Sequence, residues 1–426
     1  MTVALSPTRP TCAGGSVAQR PSGVPSVASG GRSADATTLA SGGHAIIRGE
    51  GSLNKEFVVP SWNDLGAAFG TLREIDVTAI REESERPVTI ACLGEQSALT
   101  VVVGLLNTCA SRRYSPVGLN PLLIATLSDV SRSRLVGDLG DSLRHADLML
   151  IVLDGREPVS ARVSATLREL ATLAMPTVIV LGYTNTPPIP AGDTRRAFTY
   201  AHVVALPDPG APHASDMLAE AIFDRLPGDL HMSAARHLPG LRATYARQLI
   251  NATSFTNASY ALASALPEQI PIFSIPFAAA DILVLTKNQA MLVYKLALAH
   301  GAPPEFQARI REVLPVLGGA FVWRQIARTL VGFVPIWGVV PKVSIAYAGT
   351  YSTGMVAWRW FADGELISGI RLKEISDEAL RIGRERAVAL VETAFERGTA
   401  GGGTLSRITA RIRRSLSGGK VGTEER

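Results

Sequence analysis

The hydrophobic positions of this chain change their period along its length. Between residues 87 and 206 they gather into short apolar runs at 88–93, 122–127, 148–153, 177–181 and 202–206. Runs of this length, β-branched or leucine-rich and bounded by turn residues, predict strands buried on both faces. Between them, apolar residues recur at helical spacing at about 99–110, 158–173 and 215–226. Strands alternating with helices predict a parallel sheet. With right-handed crossovers the expected fold is a doubly wound α/β domain. After Leu238 the short runs stop. Longer amphipathic or apolar stretches follow at 241–266, 278–299, 304–314, 323–331, 342–360, 376–397 and around 405–416. Prolines and glycines such as Pro267, Pro276, Gly301, Pro315, Pro341 and Gly364 separate them, and an all-α second domain is expected. Ahead of the first strand, Leu65, Phe69, Leu72 and Ile75 keep a spacing of three and four, predicting a lead-in helix within 62–85.

This pattern divides the chain into five parts. Residues 1–52 are rich in Ser, Gly, Ala, Pro and Thr and poor in large apolar side chains, so a disordered tail is expected. Residues 53–86 carry the lead-in helix, 87–235 the α/β domain, 236–400 the helical domain and 401–426 a basic tail. Of the 426 residues 46% are apolar, with a mean hydropathy of +0.19, high enough to ask whether some apolar surface meets lipid. The net charge of +5 is concentrated late: residues 405–420 hold five basic residues and no acidic one. Cys12, Cys92 and Cys109 have neither metal-binding nor redox spacing, which suits a reducing compartment. The N-terminus, MTVALSPTRP, has no apolar core of the kind a secretory signal needs.

The candidate chemistry lies where the first strand ends, in "IACLGEQSALTVVVGLLN". A strand closes on Gly94 and an apolar helical stretch follows. A phosphate-binding loop at such a place needs a glycine-rich turn whose N–H groups surround the phosphate, a lysine for the outer phosphates and a hydroxyl for Mg²⁺. Against the pattern G-x-x-x-x-G-K-[ST], Gly94 keeps the first glycine. Leu99 stands at the second, Thr100 at the lysine and Val101 at the hydroxyl position.

The order and spacing of the elements nevertheless resemble Era-like GTPases. "LRHADLMLIVLDGREPVSARVSATLREL" is similar to the central strand and following helix of that family. The family's D-x-x-G is met by Asp129, with Arg132 at the glycine position. Its base-reading N-K-x-D follows a buried strand, where this chain has Gly182, Tyr183, Thr184 and Asn185. Its S-A-[KL] loop is met loosely by Ala205 and Leu206. The resemblance implies a P-loop-like α/β fold with degenerate nucleotide-site positions at Gly94, Thr100, Val101, Asp129 and Asn185. It implies no catalytic residue and no bound cofactor; the alternative is GTP with Mg²⁺.

Residues 246–301 and 323–354 resemble a bacterial helical module, domain-of-unknown-function family 697, often joined to Era-like domains. The likeness covers about residues 236–365, and the family supplies no catalytic residues to carry over. Within this region Asp281, Asn288 and Lys295 lie seven apart on one helical stripe. They read as a polar seam between helices or as the lining of a groove. Ala346, Thr350 and Gly354 place small residues at every fourth position, which permits close helix approach. The charge-free runs are shorter than the roughly 20 residues of a spanning helix, so a continuous span is not expected, which leaves re-entrant or interfacial helices. In "LSRITARIRRSL", Leu405, Ile408, Ile412 and Leu416 share one face while Arg407, Arg411, Arg413 and Arg414 fall largely on the others. Such a helix suits an anionic bilayer.

Three functions fit these features. The first is a non-catalytic, membrane-associated regulator or scaffold with a pseudo-GTPase domain and an unidentified protein partner, at the cytoplasmic face of the cell membrane or in the cytoplasm. The second is a divergent GTP-binding switch, which as an enzyme would hydrolyse GTP. The third, a channel or transporter component, is disfavoured by the short apolar runs. Without aromatic interleaving in the basic tail, nucleic acid is not an expected partner. The seven histidines are scattered, and no Ser-His-Asp, Cys-His or metal-spaced set is visible.

Overall fold

The computed structural model describes residues 76–108, 120–156, 158–184, 201–265, 274–309, 339–364 and 367–398, with Tyr114 and Gly118 between the first two stretches. Side chains are described for 284–309 of the fifth stretch and up to residue 393 of the last. Asn185, the 323–331 stretch, most of 304–314 and the 405–416 tail lie outside these residues.

The chain enters through α1 (Thr78–Glu85) and then alternates strand and helix. The strands are β1 (Ile90–Gly94), β2 (Leu122–Thr126), β3 (Leu148–Asp154), β4 (Thr177–Gly182) and β5 (His202–Leu206). They form one sheet in the order β2-β1-β3-β4-β5, every pair parallel. Side chains alternate between two cores, as the two-residue period of a strand requires. Ile90 and Cys92 of β1 and Leu148, Leu150 and Val152 of β3 pack on one side, under α2 (Gln96–Asn107) and α6 (Ala214–Arg225). Ala91 and Leu93 of β1 and Met149, Ile151 and Leu153 of β3 pack on the other. That second face is covered by α3 (Leu127–Ser133), α4 (Asp138–Arg144) and α5 (Ala161–Ala171). Burial on both sides is what the unbroken apolar runs anticipate.

All five predicted strands form, with ends shifted by at most two residues. The helix expected at 99–110 starts earlier, at Gln96, because Leu99 N–H already bonds Glu95 O at 2.9 Å. The helix expected at 158–173 starts at Ala161, where Ser160 accepts from Val163 N–H and caps it. Two seven-residue helices, α3 and α4, were not anticipated. The four residues 134–137 join them, beginning with Arg134 and Leu135, both left-handed at φ 49° and 53°.

After the sheet come α7 (His231–His237), α8 (Arg242–Ala265), α9 (Ser274–Ala299), α10 (Val339–Asp363) and α11 (Gly369–Gly398). No strand occurs after β5 among the described residues. The helical region joins the sheet's first core directly: Tyr245 of α8 and Tyr294 and Leu298 of α9 belong to the cluster that covers β1 and β3. Two buried arginines fasten the junction. Arg236 Nη1 donates to Leu298 O and Ala302 O at 2.7 and 2.9 Å, and Arg242 donates to Ala235 O and Arg236 O. These carbonyls lie at or just beyond helix ends, where a cation is favoured. Lys295 of α9 pairs with Glu83 of α1 at 3.5 Å.

The seven-spaced stripe on α9 resolves partly into the expected seam. Asn288 Nδ2 donates to Asn257 Oδ1 at 2.7 Å, and Asn257 Nδ2 donates to Thr350 Oγ1 at 2.7 Å. Three helices are thus keyed by one chain of amide and hydroxyl bonds. Lys295 faces α1 instead, and the side chain of Asp281 lies outside the described residues. The small-residue stripe on α10 does permit close approach. A Cβ on Gly354 would stand 2.7 Å from Ile250 Cγ1 of α8 and 3.0 Å from Leu292 Cδ2 of α9.

Candidate functional site

In an open parallel sheet the ligand crevice lies outside the carboxyl ends of the strands, where successive crossovers run to opposite sides. The order β2-β1-β3 puts that point beside β1. A cavity of about 290 Å³ opens there, lined among others by Gly94, Glu95, Gln96, Thr126, Ser128 and Arg162. The first turns of α2, α3 and α5 all contribute to it.

The exit of β1 differs from a phosphate-binding loop in its backbone. β1 ends at Gly94, Glu95 is the extended N-cap, and α2 begins at Gln96. A single residue therefore separates strand from helix. Leu99, Thr100 and Val101 fall in the second turn of α2 rather than at its mouth. Leu99 is buried in the sheet core, and Thr100 Oγ1 donates back to Gln96 O at 2.9 Å. Gly94 is required by packing. A Cβ there would lie 2.5 Å from Val152 O on β3 and 3.2 Å from Leu99 Cγ. The glycine that reads as phosphate-binding is thus needed to let β1 lie against β3 beneath Leu99.

Asp129 is likewise committed to its own helix. It forms a capping box with Thr126: Thr126 Oγ1 accepts from Asp129 N–H at 3.1 Å, and Asp129 Oδ2 accepts from Thr126 N–H at 3.2 Å. Asp129 also pairs with Arg132. The hydrogen bonds from Thr126, then the Arg132 charge, hold its carboxyl below the usual carboxylate range.

The carboxyl ends of β3 and β4 carry a cluster that motif matching missed. Asp154 accepts from Arg156 N–H at 2.9 Å and from its guanidinium, whose Cζ lies 4.1 Å from the centroid of the Tyr183 ring. Those bonds, Arg156 foremost, hold the Asp154 carboxyl below its ordinary range. Tyr183 takes φ +61°, an uncommon conformation for a bulky side chain. It is fixed by its N–H bond to Leu206 O at 2.7 Å. Gly155 N–H bonds Gly182 O at 2.8 Å, and a Cβ on Gly155 would stand 2.6 Å from Thr184 Cγ2. A stacked arginine and tyrosine fill these strand ends. The Asp-Gly turn at 154–155 was visible in the sequence, but its partner 28 residues on was not.

The structure therefore brings Gly94 to the cavity wall, turns Thr100 and Val101 into the body of α2, and spends Asp129 on a helix cap. No group of three metal-ligating side chains occurs among the described residues. No protein-family model matches this sequence, and no curated protein matches it.

Proposed function

We propose that this chain is a non-catalytic regulatory or scaffold protein, associated with a membrane surface, whose α/β domain is a pseudo-GTPase that presents a binding surface to a protein partner. The observation that carries this reading is the one-residue passage from β1 to α2 through Glu95. A diphosphate needs several free N–H groups on a loop wrapped around it. Here the segment that would supply them is helical, with Leu99 N–H bonded to Glu95 O. The capping role of Asp129 and the Arg156–Tyr183 stack support the same reading.

The divergent GTP-binding switch remains the second reading, favoured by the cavity at the start of α2. Titration of the full chain with a fluorescent GTP analogue and Mg²⁺ separates the two. The expected result is no saturation up to millimolar nucleotide. Saturable micromolar binding that Arg162→Glu abolishes would establish the switch. Gly94→Val is unsuited to this test, since its side chain would strike Val152 O.

A further inference from the structure

We propose that Asn120 and Asp129 together close the free edge of the sheet at β2, so that the sheet stops at this strand and a second chain cannot extend it. The inference holds under either reading of the α/β domain. It states which contact with a partner that domain is built to refuse.

β2 is the end strand of the sheet, and β1 is its one strand neighbour among the described residues. The register sets which of its backbone groups face β1. Ile90 stands opposite Leu122, and Ile90 N–H bonds Pro121 O at 3.0 Å. Bonding positions alternate along a strand. Residues 121, 123 and 125 therefore turn their backbone polar groups to β1, while Leu122, Ile124 and Thr126 turn theirs outward. The far side of β1 keeps the same alternation: Thr89 O accepts from Asp147 N–H at 2.8 Å, next to β3. A strand added at β2 would have to bond the outward groups.

Two of the three outward N–H groups are already taken, one at each end. Asn120 Oδ1 accepts from Leu122 N–H at 3.1 Å, and Asp129 Oδ2 accepts from Thr126 N–H at 3.2 Å. Thr126 is also the N-cap of α3, so its carbonyl starts the ladder of that helix. An arriving chain meets the N–H of Ile124 and the carbonyls of Leu122 and Ile124, and gains more only by breaking a side-chain bond. The strand itself shows what the two side chains guard against. Ile124 is 48% exposed, Leu122 and Leu123 are partly buried, and Leu122–Thr126 holds neither charge nor proline. An apolar edge of this kind is a template for pairing unless something blunts it. Here the blunting sits at the ends of the strand, in exposed Asn120 and in Asp129, which carries Arg132 with it.

The test is sedimentation velocity of the full chain over a wide range of protein concentration. Asn120→Ala with Asp129→Ala frees both N–H groups, and Thr126 Oγ1 can still cap α3 by accepting from the N–H of residue 129. Two such edges can pair about a two-fold axis. The alanine pair should begin to associate at a concentration at least about 30-fold below that of the wild type, the worth of two backbone hydrogen bonds. Amide exchange at residues 122 and 126 should be fast in dilute variant and slow as it associates. Asn120→Asp with Asp129→Asn keeps both acceptor oxygens and should match the wild type. Ile124→Lys added to the alanine pair should abolish the association. Thr126→Val weakens the α3 cap but leaves both acceptors, and should not associate. If the alanine pair stays as dispersed as the wild type, the edge needs no guard and the inference falls. It also falls if the Asp/Asn pair or Thr126→Val associates equally, which would put the cause in a loosened α3, or if Ile124→Lys has no effect, which would put the contact elsewhere. Should the alanine pair not fold, Asn120→Ala alone carries the test, with an expected shift of about tenfold.

Discussion

Asn257 offers the most direct probe of what holds the helical region in register. Its side chain is fully buried, gives one hydrogen bond to Thr350 and takes one from Asn288, each at 2.7 Å. Thr350 spends its own proton on Ala346 O, so its oxygen is an acceptor for Asn257. Asn257→Leu keeps the approximate volume and removes both bonds. Each is worth about 1 kcal/mol net, and an amide left without a partner costs about 1–3 kcal/mol more. Better helix propensity and apolar burial return about 1–2 kcal/mol. The expected net loss is about 2 kcal/mol. Adding Asn288→Leu removes the stranded amide, so the double variant should be less destabilised than the sum of the singles, with a coupling of about 1–2 kcal/mol. Urea unfolding followed by far-ultraviolet circular dichroism measures this as a shift in midpoint at constant slope. If the single change costs nothing, or the two add within about 0.3 kcal/mol, the amide chain does not key these helices.

Three further outcomes are expected. Gly94→Ala forces a Cβ to 2.5 Å from Val152 O and should lower stability by about 1–3 kcal/mol in the same urea assay, whatever it does to nucleotide. His300 is buried, and that burial first, then the Arg242 charge, pushes its pKa down to about 4. The unfolded chain takes up a proton near pH 6.5 that the folded chain refuses until about pH 4, so stability should hold above pH 6.5 and fall between the two by about 3 kcal/mol; a stability profile of His300→Leu should lack that part of the slope. Ser254 is fully buried and its hydroxyl has no hydrogen-bond partner among the described residues, so Ser254→Ala should leave the urea midpoint unchanged or raise it, by up to about 1 kcal/mol.

The parts of the fold that were legible are those where one physical demand dominates. Strands buried on both faces must be apolar throughout, and β1, β3 and β4 are, so their positions followed from hydrophobic runs. The long helices followed from the end of the short apolar runs and from the prolines and glycines that separate them. α3 and α4 escaped because each is two turns long, too short for periodicity to show. What starts α3 is a capping box between Thr126 and Asp129. Asp129 was noticed for its spacing from the strand, and its bond to Thr126 gives that spacing another cause.

The exit of β1 shows why a glycine at a strand end does not by itself point to a ligand. A glycine at the end of a strand meets two different needs: close approach of a ligand to the backbone, or close approach of another part of the same protein. Sequence shows the missing Cβ but not what fills its place. Here the direction a Cβ would take from Gly94 leads to Val152 O on one side and Leu99 Cγ on the other. Leu99 reaches that position because α2 starts at Gln96, three residues before the first leucine of its apolar stretch. Glu95, Gln96 and Ser97 are polar and gave the helix no apolar signature, although the backbone bond from Leu99 to Glu95 places them in its first turn. Extending α2 back to the strand removes the loop and brings Leu99 over Gly94 in one step. β3 needs the glycine, and part of the space it leaves is occupied by the protein's own leucine.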